Sequence, residues 1–348
     1  FAKKRKLRRL SFDLIVCTIL LYMENKRLLS GIQPTGDLHL GNYLGAIKNW
    51  VDVQNDYQCY FFIADLHAIT IKYDPSKYQD NVLSLVADLM ACGVDPNKAI
   101  LFPQSKISAH SELCWLLTTI IPVSELQRMT QFKDKSKQNV NNINAGLLLY
   151  PVLQAADILL YRPAVVPVGE DQLQHLELTN VIVRKFNHLF GKYFYAVNPL
   201  VTKSARLRSL ADPNKKMSKS LGPAHCIYLQ DKPEVIRKKV MKAVTDTGAT
   251  GTNMSVGVLN LFNILEALNP EVGNKLKVAF NEKTLSYSIL KNEVADAIIA
   301  FLEPMQKRRA EIISDKAEIK RSLDSGVEKA EIVANQTLLD VKRMMGLV

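Results

Sequence analysis

Residues Arg27–Gln54 read RLLSGIQPTGDLHLGNYLGAIKNWVDVQ. The run RLLSGI is short and apolar enough for a strand, and Gln33-Pro34-Thr35-Gly36 is a turn signal. In LGNYLGAIKNWVDVQ, Leu44, Ile47, Val51 and Gln54 recur at three- and four-residue spacing, which predicts a helix. Strand, glycine-bearing turn and helix form the repeating unit of a parallel α/β sheet. The pattern continues along the chain. Residues 59–65, CYFFIAD, are an unbroken apolar run ending in a charge, as befits a strand buried on both faces. A helix over 77–92 follows, closed by Cys92-Gly93, and AILFP (99–103) supplies the next strand. Helical patterns dominate 111–161, AVVPVGEDQ supplies a strand and turn, and a further helix is predicted over 172–188. Asp231-Lys232-Pro233-Glu234 reads as a helix cap with proline in the first turn. Beyond the Gly/Thr-rich 247–253 the chain is helix-patterned to its end. The expected architecture is an α/β domain to about residue 225, then an all-helical one.

The composition suits a globular chain of roughly two domains: 348 residues, 47 % hydrophobic and 23 % charged. The net charge of +11 favours polyanionic partners. Five of those charges sit in residues 1–22, where Lys3, Lys4, Arg5, Lys6, Arg8 and Arg9 face only Asp13. This leader joins a basic start to the short apolar run Leu14–Tyr22, and no small-residue cleavage site follows. It reads as lying outside the working protein, with Met23 the start, ahead of an organelle-targeting segment and of a signal peptide. The five cysteines are odd in number and widely spaced without a C-x-x-C pair, which argues against a disulfide framework or zinc site and for a reducing compartment. No apolar run is long enough to cross a bilayer.

Two stretches are suited to phosphate chemistry. In open parallel sheets, ligands bind beyond the carboxyl ends of the strands, near helix N-termini. Ser30–Asn42 sits at such an end, with Gly31, Gly36 and Gly41 permitting close backbone approach and a helix start offering free N–H groups. His39 and Asn42, three apart, can face a triphosphate from one side of the turn. Far downstream, DPNKKMSKSLG (212–222) sets lysines around two serines between a turn signal and a glycine; Met217 and Leu221 are its only large apolar residues, so the stretch offers little to a core.

His39-Leu40-Gly41-Asn42 together with Lys216-Met217-Ser218-Lys219-Ser220 resembles the paired signatures of class I aminoacyl-tRNA synthetases. The second matches in full, a chance event with odds on the order of 1 in 10⁴ for a chain this long. The first ends in Asn42 where that class usually has histidine. SGIQPTGDLHLGNYLGAIKNW, HAIT (67–70), ELQRMTQFKDKS (125–136), YPVLQAADILLY (150–161) and VPVGEDQLQHLEL (166–178) narrow the resemblance to bacterial-type tryptophanyl-tRNA synthetases, from about Lys26 to the C-terminus.

The resemblance implies a Rossmann-like parallel-sheet catalytic domain over 23–228 and a helical, anticodon-binding domain over 229–348 whose last helix is free to pack back on the first. It implies ATP as substrate, with Mg²⁺ carried on its phosphates, and tryptophan and tRNA(Trp) as partners of a cytoplasmic homodimer, or an organellar one if 1–22 are a targeting segment. Gln33, Pro34, Thr35, His39, Gly41 and Asn42 would line the ATP site, with Gly169, Glu170 and Asp171 on its ribose and adenine side and Leu207 touching the base. Lys216, Met217, Ser218, Lys219 and Ser220 would wrap the phosphates, joined by Lys135. Of these, Lys216, Lys219, Lys135 and Asn42 would be catalytic, and no metal is expected on protein ligands.

The amino-acid pocket has its own physical argument. Asp157 lies inside the apolar LLLYPVLQAADILLY, where a carboxylate is costly unless hydrogen-bonded. An indole N–H is a donor only and needs an acceptor. By resemblance, Tyr150 and Gln172 would contact the substrate's amino group, and His67, Gln154 and Leu29 would complete the pocket. Leu29 and Gln154 depart from the family's Phe and Met and both border the indole. In the helical part, the basic clusters Lys307-Arg308-Arg309 and Lys320-Arg321 are candidates for RNA contact. A tyrosine-specific relative shares the fold and signatures. A silent RNA-binding paralogue is disfavoured, because both signature loops are intact.

Overall fold

The computed structural model describes residues 26–132, 144–169, 172–200, 207–245 and 254–348. The leader, Lys135, Glu170, Asp171 and the Gly/Thr-rich 247–253 lie outside the described residues.

Strands β1 (Arg27–Ile32), β2 (Gln58–Ile63), β3 (Ile100–Pro103), β4 (Val165–Pro167) and β5 (Asn198–Leu200) form a parallel sheet in the order β3-β2-β1-β4-β5. Chain order therefore reverses between β1 and β4, the position at which open sheets bind ligands. Side chains alternate between faces with the period of the strand. Leu28, Cys59, Phe61, Ile63 and Leu101 enter one apolar cluster, and Leu29, Tyr60, Phe62 and Phe102 the other.

The expected helix after β1 forms as α1: a helical turn Leu40–Asn42, a π-helical stretch Tyr43–Ile47 and a regular part Lys48–Val53. A short α2 (Asp65–Ala68) precedes α3 (Tyr78–Ala91), and Gly93, at φ +109°, supplies the left-handed turn into β3. Helices α4 (Ala109–Thr118), α5 (Val123–Gln127), α6 (Ala145–Tyr161) and α7 (Leu173–Phe190) belong mainly with the second cluster. After α8 (Pro233–Met241), helices α9 (Val256–Leu268), α10 (Pro270–Asn281) and α11 (Tyr287–Ser314) join the first. The predicted cap at Asp231 is displaced by one residue. Pro233 fixes the first helical position, so Lys232 caps α8, while Asp231 accepts the Tyr228 N–H at 2.9 Å and pairs with Lys239 at 2.6 Å.

The last helix, α12 (Lys316–Met344), spans both clusters, with Ile319 and Leu323 in one and Ala330, Ala334, Leu338 and Val341 in the other. Between them Gly326 lies against the backbone of Leu101 in the edge strand β3, where any Cβ would collide with the Leu101 carbonyl. A glycine in mid-helix normally costs stability; here it lets the helix cover an exposed strand edge. None of the described helices is long and apolar enough to cross a membrane.

Candidate active site

A cavity of about 300 Å³ opens at the carboxyl ends of β1 and β4. Seven of the expected residues line it: Leu29 and Gln33 from β1 and its turn, His67 from α2, Tyr150, Gln154 and Asp157 from one face of α6, and Gln172 just before α7. The volume is that of a small-molecule site. Gly31 also lines it, and a Cβ there would strike the Phe62 ring.

Asp157 is fully buried. Its Oδ2 lies 2.7 Å from His67 Nε2, and its Oδ1 accepts from Gln104 Nε2 at 2.6 Å and His110 Nδ1 at 2.7 Å. Burial alone would push the carboxyl up; the charge of His67 and hydrogen bonds from His110 and His67 outweigh it and hold Asp157 below the usual range. The group is thus an ionised acceptor in an apolar helix. Tyr150 is buried with its hydroxyl 3.1 Å from His175 Nε2, and Gln154 Nε2 donates to Gln172 Oε1 at 3.4 Å.

Gln104, His110 and His175 escaped the sequence reading. Gln104 follows directly on the end of β3, as Gln33 follows β1, and that position was a usable signal. His110 and His175 carried none, being single histidines on helices.

The two signature segments are packed together. His39 Nδ1 accepts the Asn42 N–H at 3.2 Å and Asn42 Oδ1 accepts the His39 N–H at 3.1 Å, a reciprocal cap on α1. The spacing of three thus turns these groups toward each other. An added Cβ on Gly41 would crowd the His39 ring and touch Met217, so glycine permits the close approach. Pro34 is buried, whereas Gln33 and Thr35 are exposed on the turn, whose Thr35 N–H donates to the Gln33 carbonyl at 2.9 Å.

Met217 is only 2 % exposed and belongs to the core, a departure from the sequence reading. Its N–H donates to the Leu207 carbonyl at 3.0 Å. Ser218 caps a 3₁₀ turn over Lys219–Leu221, and Gly222, at φ +107°, closes it. A buried methionine therefore anchors the loop while Lys216 and Ser220 stay exposed. Lys219 Nζ reaches the Gly36 carbonyl at 3.4 Å. Burial lowers the Lys219 ammonium below the ordinary lysine range, opposed by Asp37. Burial, followed by the charges of Lys219 and Lys216, pulls the His39 imidazole down to about 4, so it is neutral at pH 7. Gly169 is exposed at the end of β4, and its carbonyl accepts the Gln172 N–H at 2.9 Å.

The basic clusters of the helical region are partly spent internally. Arg309 is engaged with buried Asp88 and with Ser84 Oγ at 2.8 Å, and Arg321 pairs with Glu318 at 2.6 Å. Lys307, Arg308 and Lys320 remain exposed.

The family model for class I tRNA synthetases (W and Y) matches residues 23–303. A tryptophan–tRNA ligase of Helicobacter pylori is 46 % identical over 330 residues, covering 94 % of this chain and 100 % of its own. The crystal structure of tryptophanyl-tRNA synthetase from Mycoplasma pneumoniae superposes with a TM-score of 0.83 at 38 % identity, covering 93 % of this chain and 98 % of that one. The Campylobacter jejuni tryptophanyl-tRNA synthetase, complexed with ADP and tryptophan, gives 0.80 at 32 % identity, covering 92 % and 100 %. With a sheet that reverses at the cavity and both signature segments in contact, this chain belongs to the class I tRNA synthetases of the tryptophan and tyrosine type.

Proposed function

We propose that the chain ligates L-tryptophan to tRNA(Trp) in two steps, through tryptophanyl-adenylate, releasing pyrophosphate and then AMP. The observation that carries this reading is one shared turn: Gln33 lines the cavity that holds Asp157, and Gly36, three residues on, takes Lys219. Amino-acid site and phosphate site are thereby adjacent.

In the first step the tryptophan carboxylate attacks the α-phosphorus of ATP in line, and pyrophosphate leaves. In the second a ribose hydroxyl at the tRNA end attacks the adenylate carbonyl, and AMP leaves. Neither step needs a covalent enzyme nucleophile, so catalysis rests on positioning and on neutralising charge that grows on the phosphates. Lys216 and Lys219 supply that charge as point cations. Lys135, and Glu170 with Asp171 on the ribose side, take the roles their motifs imply. Asn42 acts chiefly by fixing His39 and the start of α1. The described residues hold no group of three or more histidine, cysteine or acidic side chains disposed for an ion. Mg²⁺, which keeps much of its water, suits the phosphate oxygens of ATP.

Selection follows from acceptor capacity. A carboxylate offers roughly four lone-pair sites. Asp157 uses three on His67, Gln104 and His110, leaving one on Oδ2 for an indole N–H. Phenylalanine has no such donor, and rejection on this basis can reach about 10⁴-fold. Leu29 and Gln154 replace bulkier or softer side chains beside the ring, so its packing differs from the family pattern.

Residues 23–228 serve as the catalytic part, and 229–348 meet the tRNA, with Lys307, Arg308 and Lys320 the available cations. A homodimer is supported by a second, apolar cavity of about 350 Å³ lined by Leu66, Ile69, Cys114, Leu149 and Leu153, and by Trp115, the next residue after Cys114, which is 66 % exposed. It shares Tyr150 with the substrate cavity. The cytoplasm is the assigned compartment, or an organelle if the leader directs it there. Charging of a tRNA(Trp) transcript with labelled amino acid tests the reading: tryptophan should be esterified, and esterification of tyrosine alone would reject it.

A further inference from the structure

The Asp157 carboxylate is held from behind as well as from the cavity. His67 and Asp157 line the cavity, whereas Gln104 and His110 do not and are both fully buried. Those two hidden residues approach the same oxygen, Oδ1, at 2.6 and 2.7 Å. One carboxylate oxygen has two lone pairs, so Oδ1 is saturated, while Oδ2, with His67 alone at 2.7 Å, keeps one. The far nitrogen of His110, Nε2, lies 2.9 Å from the Tyr161 hydroxyl. A neutral imidazole carries one donor and one acceptor, and a carboxylate only accepts. Nδ1 therefore donates to Asp157 and Nε2 accepts from Tyr161. A protonated ring donates at both nitrogens, so the bond to Oδ1 keeps its direction either way.

We propose that His110 is a positioning residue for ring selectivity: together with Gln104 it pins Oδ1 and so presents Oδ2, the oxygen with spare acceptor capacity, to the ring N–H of the amino acid. The proposal rests on the tryptophan reading of the cavity. Without the two rear donors the carboxylate can rotate about its terminal bond, a broad torsion, and the acceptor is no longer fixed. Tyr161, in turn, steadies the His110 ring from the far end of α6. A residue that only supported the fold would weaken all substrates alike. One that orients the acceptor weakens ring N–H recognition selectively.

The test compares tryptophan with its benzothienyl analogue, in which sulfur replaces the ring N–H, by amino-acid-dependent pyrophosphate exchange on the full chain. In His110→Leu the preference for tryptophan, as a ratio of kcat/KM values, should fall at least about 10-fold, mainly through the KM for tryptophan, with the KM for ATP within about 2-fold. His110→Asn places an amide N–H where Nδ1 was and should restore the ratio to within about 3-fold of wild type. If His110→Leu fails to fold, Gln104→Met decides: it removes the other rear donor at similar length and should also shrink the ratio. An unchanged ratio, with both substrates declining together, overturns the proposal. Failure of the wild type to activate tryptophan overturns the functional reading instead, so the two failures are distinguishable.

Discussion

Lys219 Nζ stands 3.4 Å from the carbonyl oxygen of Gly36, a residue 183 positions earlier in the chain. The contact is long for a hydrogen bond, and Lys219 is half-buried, so a phosphate at this turn would be a better partner than the carbonyl. Lys219→Ala should therefore leave the fold intact and lower kcat for pyrophosphate exchange by about 10²–10³-fold, with the KM for tryptophan within a few-fold. Steady-state kinetics at saturating ATP check this. A rise in the tryptophan KM with unchanged kcat would remove Lys219 from the phosphate step.

Asp157 is a different case, because its removal strands three buried donors. Asp157→Asn should destabilise the protein by on the order of 3 kcal/mol in urea unfolding, since it exchanges a paired charge for an amide that must donate where it once accepted. It should also raise the tryptophan KM far more than the ATP KM. Equal changes in both would mean that the carboxylate is a fold element without a part in recognition.

His39 makes stability depend on pH. Its imidazole titrates near 4 in the folded chain, against 6.5 as the ordinary value. The unfolded state therefore takes up a proton first as the pH falls. Above pH 6.5 both states are neutral at this site and nothing is lost. Between 6.5 and about 4 the folded state loses ground, by up to about 3 kcal/mol. His39→Asn keeps an oxygen able to cap α1, so the wild-type minus variant difference in unfolding free energy should fall through that window. A flat difference would show that the ring is exposed in solution.

Gly326 bears on how α12 meets the sheet. Gly326→Ala normally favours a helix, by about 1 kcal/mol. Here the methyl group would strike the Leu101 carbonyl, so the variant should unfold at lower temperature, with a cost of about 3 kcal/mol. Calorimetry on the full chain reads this directly, and a stabilised variant would mean that α12 is not seated on β3.

The α/β half was legible where burial is two-sided. Cys59–Ile63 reads as a strand because both of its faces meet apolar clusters. Asn198–Leu200 did not, because its side chains are exposed or half-exposed and show no apolar run. Asp157 was visible as a charge in a greasy helix. Its partners lie 53 and 47 positions away; Gln104 was marked only by its place at the end of β3, and His110 by nothing local. Met217 was misread because its neighbours are lysines and serines; only the folded chain brings Leu207 and Gly41 against it. Arg309 was read as an RNA-facing cation, although Asp88, more than two hundred residues earlier, claims it.

At the centre stands one turn, Gln33 to Gly36, that joins the cavity of an indole acceptor to a phosphate-binding lysine loop. Amino-acid-dependent exchange of labelled pyrophosphate into ATP tests it most directly, run side by side with tryptophan, tyrosine and phenylalanine. Exchange should be rapid with tryptophan and slower by at least about 10³-fold with either of the others. Exchange driven by tyrosine in preference to tryptophan, or absent with all three, would contradict it.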